Sequence, residues 1–191
     1  MSKNQDYIDQ YKELAKDQMR RYGIPASVTL AQGILESTSG QSQLAKNENN
    51  HFGIKATGSW IKAGGKYGLY TDDKPNEKFC SYTSVADSYE HHSKFLKNSN
   101  RYASCFKLQP DDYRGWANDL DKAGYATAGK YAPNLIKIIE RNDLAQYDKQ
   151  VLAELKAEGK TIGMDNAPQA ETKQAQESKD YSFPLRRDEF M

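Results

Sequence analysis

Apolar positions near the start of the chain recur at helical spacing. Between Asn4 and Tyr22, the residues Tyr7, Ile8, Tyr11, Leu14, Ala15 and Met19 fall three or four apart with charges between them, which predicts an amphipathic helix. Gly23 stops it, and Pro25 suits the first turn of a second helix running to about Thr38. That second helix has a different character. Val28, Leu30, Ala31, Ile34 and Leu35 make it apolar around most of its circumference, as expected of a helix buried in a domain. It breaks at Ser37, Thr38, Ser39 and Gly40, and a short helical turn over Gln41 to Lys46 leads into the polar run NENNHFGIK.

Between Ile54 and Tyr82 the period changes. Gly58, Gly64, Gly65 and Gly68 punctuate short runs rich in Trp, Ile, Tyr and Phe. This predicts a small antiparallel sheet with strands at Trp60 to Ala63, Lys66 to Thr71 and Glu77 to Tyr82, the last two joined by the turn TDDKPN. Helical spacing returns after Ser84 and Asp87, a capping-box-like start, with Val85, Tyr89, His92 and Leu96 on one face. Past the linker KNSNRYASCFKLQ, Pro110, Asp111 and Asp112 open a helix carrying Tyr113, Trp116, Ala117 and Leu120, which ends near Gly124. The loop AGYATAGKYAP precedes a helix from Asn134 to Arg141, and Leu144 to Leu155 supplies another.

Hardly an apolar anchor remains after Gly159, so Gly159 to Asp180 is expected to be a mobile linker. The closing YSFPLRRDEFM turns apolar again, which suggests an attachment strand, a partner-binding tail or the run-in to a further C-terminal domain. The patterning therefore predicts an α+β, mainly α chain: a helical domain with a small antiparallel β-hairpin lobe over residues 4–150, then a helical extension, linker and flexible tail over 151–191.

Charge and composition narrow the chemistry. Lys+Arg 27 against Asp+Glu 26 leaves a net charge of +1, so no global field steers the chain to nucleic acid or to an anionic membrane. No stretch approaches the ~20 apolar residues of a transmembrane segment. The start, MSKNQDYIDQ, lacks the apolar core of a signal peptide, which leaves localisation open. Cys80 and Cys105 fit neither a disulfide framework nor a metal cage and are expected as two buried thiols. His51, His91 and His92 make no metal set, because adjacent histidines on a helix point to different faces; no metal or cofactor is expected. Ser37 and Ser39 lack the GxSxG elbow of a serine hydrolase. Thirteen Tyr, two Trp and six Phe raise the odds of a carbohydrate or peptide cleft, although half-buried core edges account for most of them.

Against this background Glu36 stands out. A lone glutamate on a mostly apolar helix is more often a salt-bridged edge residue than an acid catalyst. Here it is followed by Ser, Gly and Asn-rich loops and a Gly-rich hairpin, an arrangement that suits a cleft wall. A carboxyl among apolar groups keeps its proton to higher pH than in water, and glycosidic cleavage needs such an acid. The second carboxylate is open between Asp72 and Asp73, with Glu77 nearby, all in a hairpin whose turn also favours aspartate for its geometry. A base that activates water sits roughly 6.5 to 9.5 Å from the acid, against 5 to 5.5 Å for a nucleophile, and a facing hairpin turn suits the longer separation.

Three runs, ILESTSGQSQLAKNENNHFGIK, FCSYTSVADSYEHHSKFL and AGYATAGKYAPNLIKIIE, resemble in sequence and order the endo-β-N-acetylglucosaminidase domain of glycoside hydrolase family 73, over about Tyr11 to Tyr147. The resemblance implies a lysozyme-like fold with a small β-lobe. It also implies hydrolysis, in peptidoglycan glycan strands of the bacterial wall (periplasm or exterior), of the bond from N-acetylglucosamine to N-acetylmuramic acid. Glu36 matches the family's catalytic acid, and Asn50, Phe52 and Gly53 match its N-x-F-G cleft segment. Thr71 places Asp72 or Asp73, with Asp73 favoured, at the second acidic position, where relatives often carry glutamate. Tyr125 and Tyr131 match the tyrosines of the Y-A-T-D-x-x-Y loop, in which Ala128 stands where the family usually has Asp. Trp60 and Trp116 join these tyrosines as expected sugar-lining residues. The Ala128 departure keeps a non-catalytic glycan-binding module open as an alternative, and a lytic transglycosylase, which also runs on one glutamate, is a third. The closing segment resembles the lead-in to a zinc endopeptidase domain found beside such glycosidases.

Overall fold

A computed structural model describes residues 2–127 and 129–163. Ala128 and the tail beyond Gly163, including the expected linker to Asp180 and YSFPLRRDEFM, lie outside the described residues.

In chain order the elements are α1 (Lys3–Tyr22), α2 (Ala26–Ser37), α3 (Gln43–Glu48), α4 (Gly58–Lys62), β1 (Lys66–Tyr70), β2 (Glu77–Ser81), α5 (Val85–Asn98), a 3-10 helix (Asn100–Lys107), α6 (Tyr113–Lys122), α7 (Tyr131–Arg141) and α8 (Ala145–Ala157). The mainly α architecture with a β-hairpin lobe is the expected one. Helix α1 starts where the Ser2 hydroxyl accepts the Gln5 N–H at 3.0 Å and stops at Gly23 in the left-handed region. It buries Tyr7, Ile8, Ala15 and Met19.

Helix α2 is the axis of the helical half. Eleven of its residues are buried, and it packs against α1, α6, α7 and α8. Its start is held from α8: Asp148 accepts the Ser27 N–H at 2.8 Å and the Ser27 hydroxyl at 2.5 Å. Halfway along, a Cβ at Gly33 would overlap the Tyr7 and Tyr89 hydroxyls, so only glycine lets those rings approach this closely. Those hydroxyls lie 2.7 Å apart, and Tyr7 Oη is 2.8 Å from His51 Nδ1. Burial holds the His51 ring neutral, with its pKa lowered to about 4.

The hairpin pairs β1 with β2 antiparallel, from Lys66 opposite Ser81 to Tyr70 opposite Glu77, and Lys55 adds an isolated bridge to Phe79. The expected strand at Trp60 to Ala63 is instead helix α4, capped by the Thr57 hydroxyl, which accepts the Trp60 N–H at 3.1 Å. Burying Trp60 against His91 favours that turn over an extended strand; rings of this size stabilise by ~2–3 kcal/mol when enclosed. The expected linker between α5 and α6 contains the 3-10 helix, and α7 begins three residues before Asn134, with Pro133 in its first turn. Lys160 and Gly163 still bond back to the helical half, through Leu155 and Arg20 carbonyls at 2.8 Å, so the first residues of the expected linker are attached. Cys80 and Cys105 are buried thiols, as expected. No helix among the described residues is long and apolar enough to cross a membrane.

Candidate active site

Glu36 sits one residue before the end of α2 and is 1% exposed. Immediately after it, Thr38, Ser39 and Gly40 all adopt positive φ (52°, 54° and 81°). A β-branched residue in that region is strained, at roughly 1–3 kcal/mol. The turn is fixed by the Ser37 hydroxyl, which donates to the Gly33 carbonyl at 2.5 Å and accepts the Gly40 N–H at 2.7 Å. The Glu36 carboxyl thus sits enclosed at a helix end whose turn is held by hydrogen bonds.

Tyr131 meets Glu36 from α7. Its hydroxyl donates to Glu36 Oε2 at 3.4 Å and accepts from Gln32 Nε2 at 2.9 Å. Residues 32 and 36 stand one helical turn apart on the same face of α2, which is why one hydroxyl reaches both. Tyr131 opens α7, where Lys130 is left-handed (φ 69°) and Asp121 of α6 accepts the Ala132 N–H at 3.0 Å. Tyr125 stacks on Tyr131 with centroids 5.6 Å apart at 17°. It is placed by a Schellman turn ending α6: Gly124 has φ 82° and the Tyr125 N–H reaches the Leu120 carbonyl at 3.0 Å. Behind Gln32, His92 Nε2 lies 2.8 Å from Gln32 Oε1. The His92 ring stacks on Phe52 at 4.0 Å, and burial, with the adjacent His91, lowers its pKa to about 3.

The expected site residues therefore divide. Glu36, Tyr125 and Tyr131 come together. Phe52 reaches the cluster only as a ring beneath His92, fully buried. Asn50 is scaffolding. Its Nδ2 donates to the Ile54 and Cys80 carbonyls at 3.0 and 2.9 Å, and its Oδ1 accepts the Gly53 and Ile54 N–H groups at 2.9 and 3.3 Å. This fastens the 50–54 loop to β2 and leaves the amide little capacity for a sugar.

Trp60 and Trp116, expected to line subsites, are each 1% exposed. Trp60 stacks on His91 and donates Nε1–H to the Lys66 carbonyl at 2.8 Å; Trp116 packs edge-on against Phe106. Both rings are enclosed by protein and offer no open face to a sugar. Of the hairpin carboxylates, the Asp72 side chain is fully covered and lies 3.2 Å from Lys55 Nζ, which also donates to Glu77 at 3.0 Å. Asp73 is exposed. Sequence reasoning missed Gln32 and assigned His92 only to a helix face. The spacing of Gln32 four residues before Glu36, on a mostly apolar helix, was the available signal. No group of three or more His, Cys, Asp or Glu side chains among the described residues could hold a metal ion.

With this geometry in place, comparisons with known proteins converge. Residues 12–144 match the family model described as Glucosaminidase, mannosyl-glycoprotein endo-beta-N-acetylglucosaminidase. The exo-glucosaminidase LytG of Bacillus subtilis is 30% identical over 159 residues, covering 78% of this chain and 55% of that protein. An N-acetylmuramoyl-L-alanine amidase domain-containing protein of Staphylococcus aureus is 37% identical over 161 residues, covering 75% of this chain and 25% of that protein. The chain thus spans about half, or less, of these curated relatives. The crystal structure of a peptidoglycan hydrolase from Sphingomonas sp. A1 superposes with a TM-score of 0.63 at 28% identity, covering 88% of this chain and 98% of that one. The fold is the lysozyme-like one of that group. The chain belongs to the glucosaminidase family, glycoside hydrolase family 73.

Proposed function

We propose that the chain is a peptidoglycan hydrolase that cleaves the β-1,4 bond from N-acetylglucosamine to N-acetylmuramic acid, with Glu36 as general acid. The observation that carries this reading is the buried Glu36 carboxyl, held by the Tyr131 hydroxyl at the end of a helix braced along its length. In the proposed step, the Glu36 carboxyl gives its proton to the glycosidic oxygen as the bond to the anomeric carbon breaks. A water attacks the oxocarbenium-like carbon from the other side and passes a proton to a base. Asp73 is the candidate for that base, because its carboxylate is exposed on the hairpin while Asp72 is covered and paired with Lys55. Proton exchange with solvent then resets both groups.

The test is the release of new reducing ends from purified peptidoglycan. Glu36→Gln keeps size and hydrogen bonding but has no proton of suitable acidity to give, so the rate should fall by ~10²–10⁴ while the variant stays folded. Near-wild-type release by Glu36→Gln would sink the assignment. Mass spectrometry of the products separates the alternatives: hydrolysis leaves free reducing ends, a lytic transglycosylase leaves 1,6-anhydro ends, and a binding module leaves the glycan intact.

A further inference from the structure

We propose that Gln32 and His92 are positioning residues for the acid, setting through a one-way chain of buried hydrogen bonds the direction in which the Tyr131 hydroxyl proton points. This inference rests on the reading of Glu36 as the acid.

The chain has three links: His92 Nε2 to Gln32 Oε1 at 2.8 Å, Gln32 Nε2 to Tyr131 Oη at 2.9 Å, and Tyr131 Oη to Glu36 Oε2 at 3.4 Å. All four residues are at most 1% exposed. The sense of each link follows from the one before it. A primary amide donates only through nitrogen and accepts only through oxygen. Among the described residues His92 Nδ1 meets no hydrogen-bond partner, so the ring's hydrogen sits on Nε2 and is donated to Gln32 Oε1, which leaves Gln32 Nε2 to donate to Tyr131. Burial keeps that ring neutral, with a single N–H to offer, and stacking on Phe52 fixes its plane. Tyr131 accepts from Gln32, and its own hydrogen is directed at Glu36 Oε2.

The consequence falls on the acid. A carboxylic acid whose Oε2 accepts a hydrogen bond keeps its own proton on Oε1, where it can be handed to a substrate. If the chain ran the other way, Tyr131 would donate to Gln32 and accept from Glu36. The acid proton would then be drawn into the protein and away from the leaving oxygen. Gln32 and His92 therefore select the productive form of the carboxyl without touching substrate. The long third link fits a contact that tightens only when the cleft is occupied.

The experiment is a mutant cycle on kcat and KM for reducing-end release from soluble glycan fragments, with folding checked by circular dichroism. Gln32→Met keeps the volume and removes both amide bonds. It should lower kcat by about 10- to 100-fold with KM within about twofold, and it should cost little further in a Tyr131→Phe background, because the chain is already cut there. A structural role predicts the same factor in both backgrounds, and that result, or a wild-type kcat, overturns the inference. Should Gln32→Met not fold, the His92 pair decides. His92→Gln keeps an N–H near the ring nitrogen and should retain most of kcat, whereas His92→Leu should lose it; equal losses from both overturn the inference. Glu36→Gln is measured alongside. If it keeps the wild-type rate, the acid assignment itself fails. If it is inactive while Gln32→Met is not impaired, only the positioning role fails.

Discussion

Helix α2 and the β1–β2 hairpin each carry one of the two carboxyl groups that the proposed reaction uses, and they are held in opposite ways. Helix α2 is gripped at its start by Asp148, at its middle by the Tyr7 and Tyr89 hydroxyls packed on Gly33, and, through its own Gln32 and Glu36, by His92 and Tyr131. The hairpin is two five-residue strands with Tyr67 and Leu69 exposed, and its turn is tied down by Lys55. A general acid works only from a defined geometry, because its proton must travel along one line. A base that acts on a water molecule tolerates more variation in position, so the proposed reaction asks less of the hairpin. The difference in construction matches the difference in task.

The largest effect is expected at the hairpin carboxylates. Asp73→Asn should lower reducing-end release by about 100-fold with little effect on stability, and Asp72→Asn should do far less to the rate. If both are nearly silent, the substrate's own N-acetyl group assists at the anomeric carbon and the hairpin's role is only to shape the cleft.

The bracing of α2 can be read from acid titration of stability. His51 and His92 are held neutral by burial, with pKa values of about 4 and about 3, so the unfolded chain takes up two more protons as pH falls below 6.5 and stability drops. Asp148 works the other way. Burial raises its pKa to about 7, so between pH 4 and 7 the folded chain holds a proton that the unfolded chain has released. Two rings against one carboxyl leave these three groups a net fall of about 2 kcal/mol from pH 6 to pH 4.5, to which the lowered carboxyls of Glu77, Glu90 and Glu154 add, measured by urea unfolding. Asp148→Asn removes the opposing group and should deepen the fall by about 2 kcal/mol. An unchanged slope would mean that Asp148 is not protonated where α8 meets α2.

The smallest effect belongs to Glu77→Gln. Both partners of the Lys55–Glu77 pair are partly exposed, so its loss should cost only about 1 kcal/mol in unfolding while leaving the covered Asp72 with its cation. A loss of several kcal/mol would show that the hairpin is built as tightly as α2, and the contrast would fall.

Most of the helices were legible from the chain because their buried faces repeat at 3.6-residue spacing over three or more turns. Helix α4 was not. Its five residues, GSWIK, are too short to show a period, and their glycine and aromatic content resembles a strand; a threonine cap and tertiary burial of Trp60 decide the outcome. Glu36 was legible as a charge out of place on an apolar helix. Gln32, on that same helix, was passed over because a lone buried amide looks unremarkable until its partners, drawn from α5 and α7, are known. Trp60 and Trp116 misled for a related reason: composition counts aromatic rings but does not say which way they face.

The two cysteines have a consequence outside the chemistry of the cleft. Both are sealed in the core, and burial, with Asp119 nearby, raises the Cys105 thiol to about 12, so almost none of it is in the reactive thiolate form at neutral pH. The described fold needs no cross-link to form and offers little to an oxidant. It should melt at the same temperature with or without a reducing agent, and so keep one covalent state in reducing and oxidising surroundings alike.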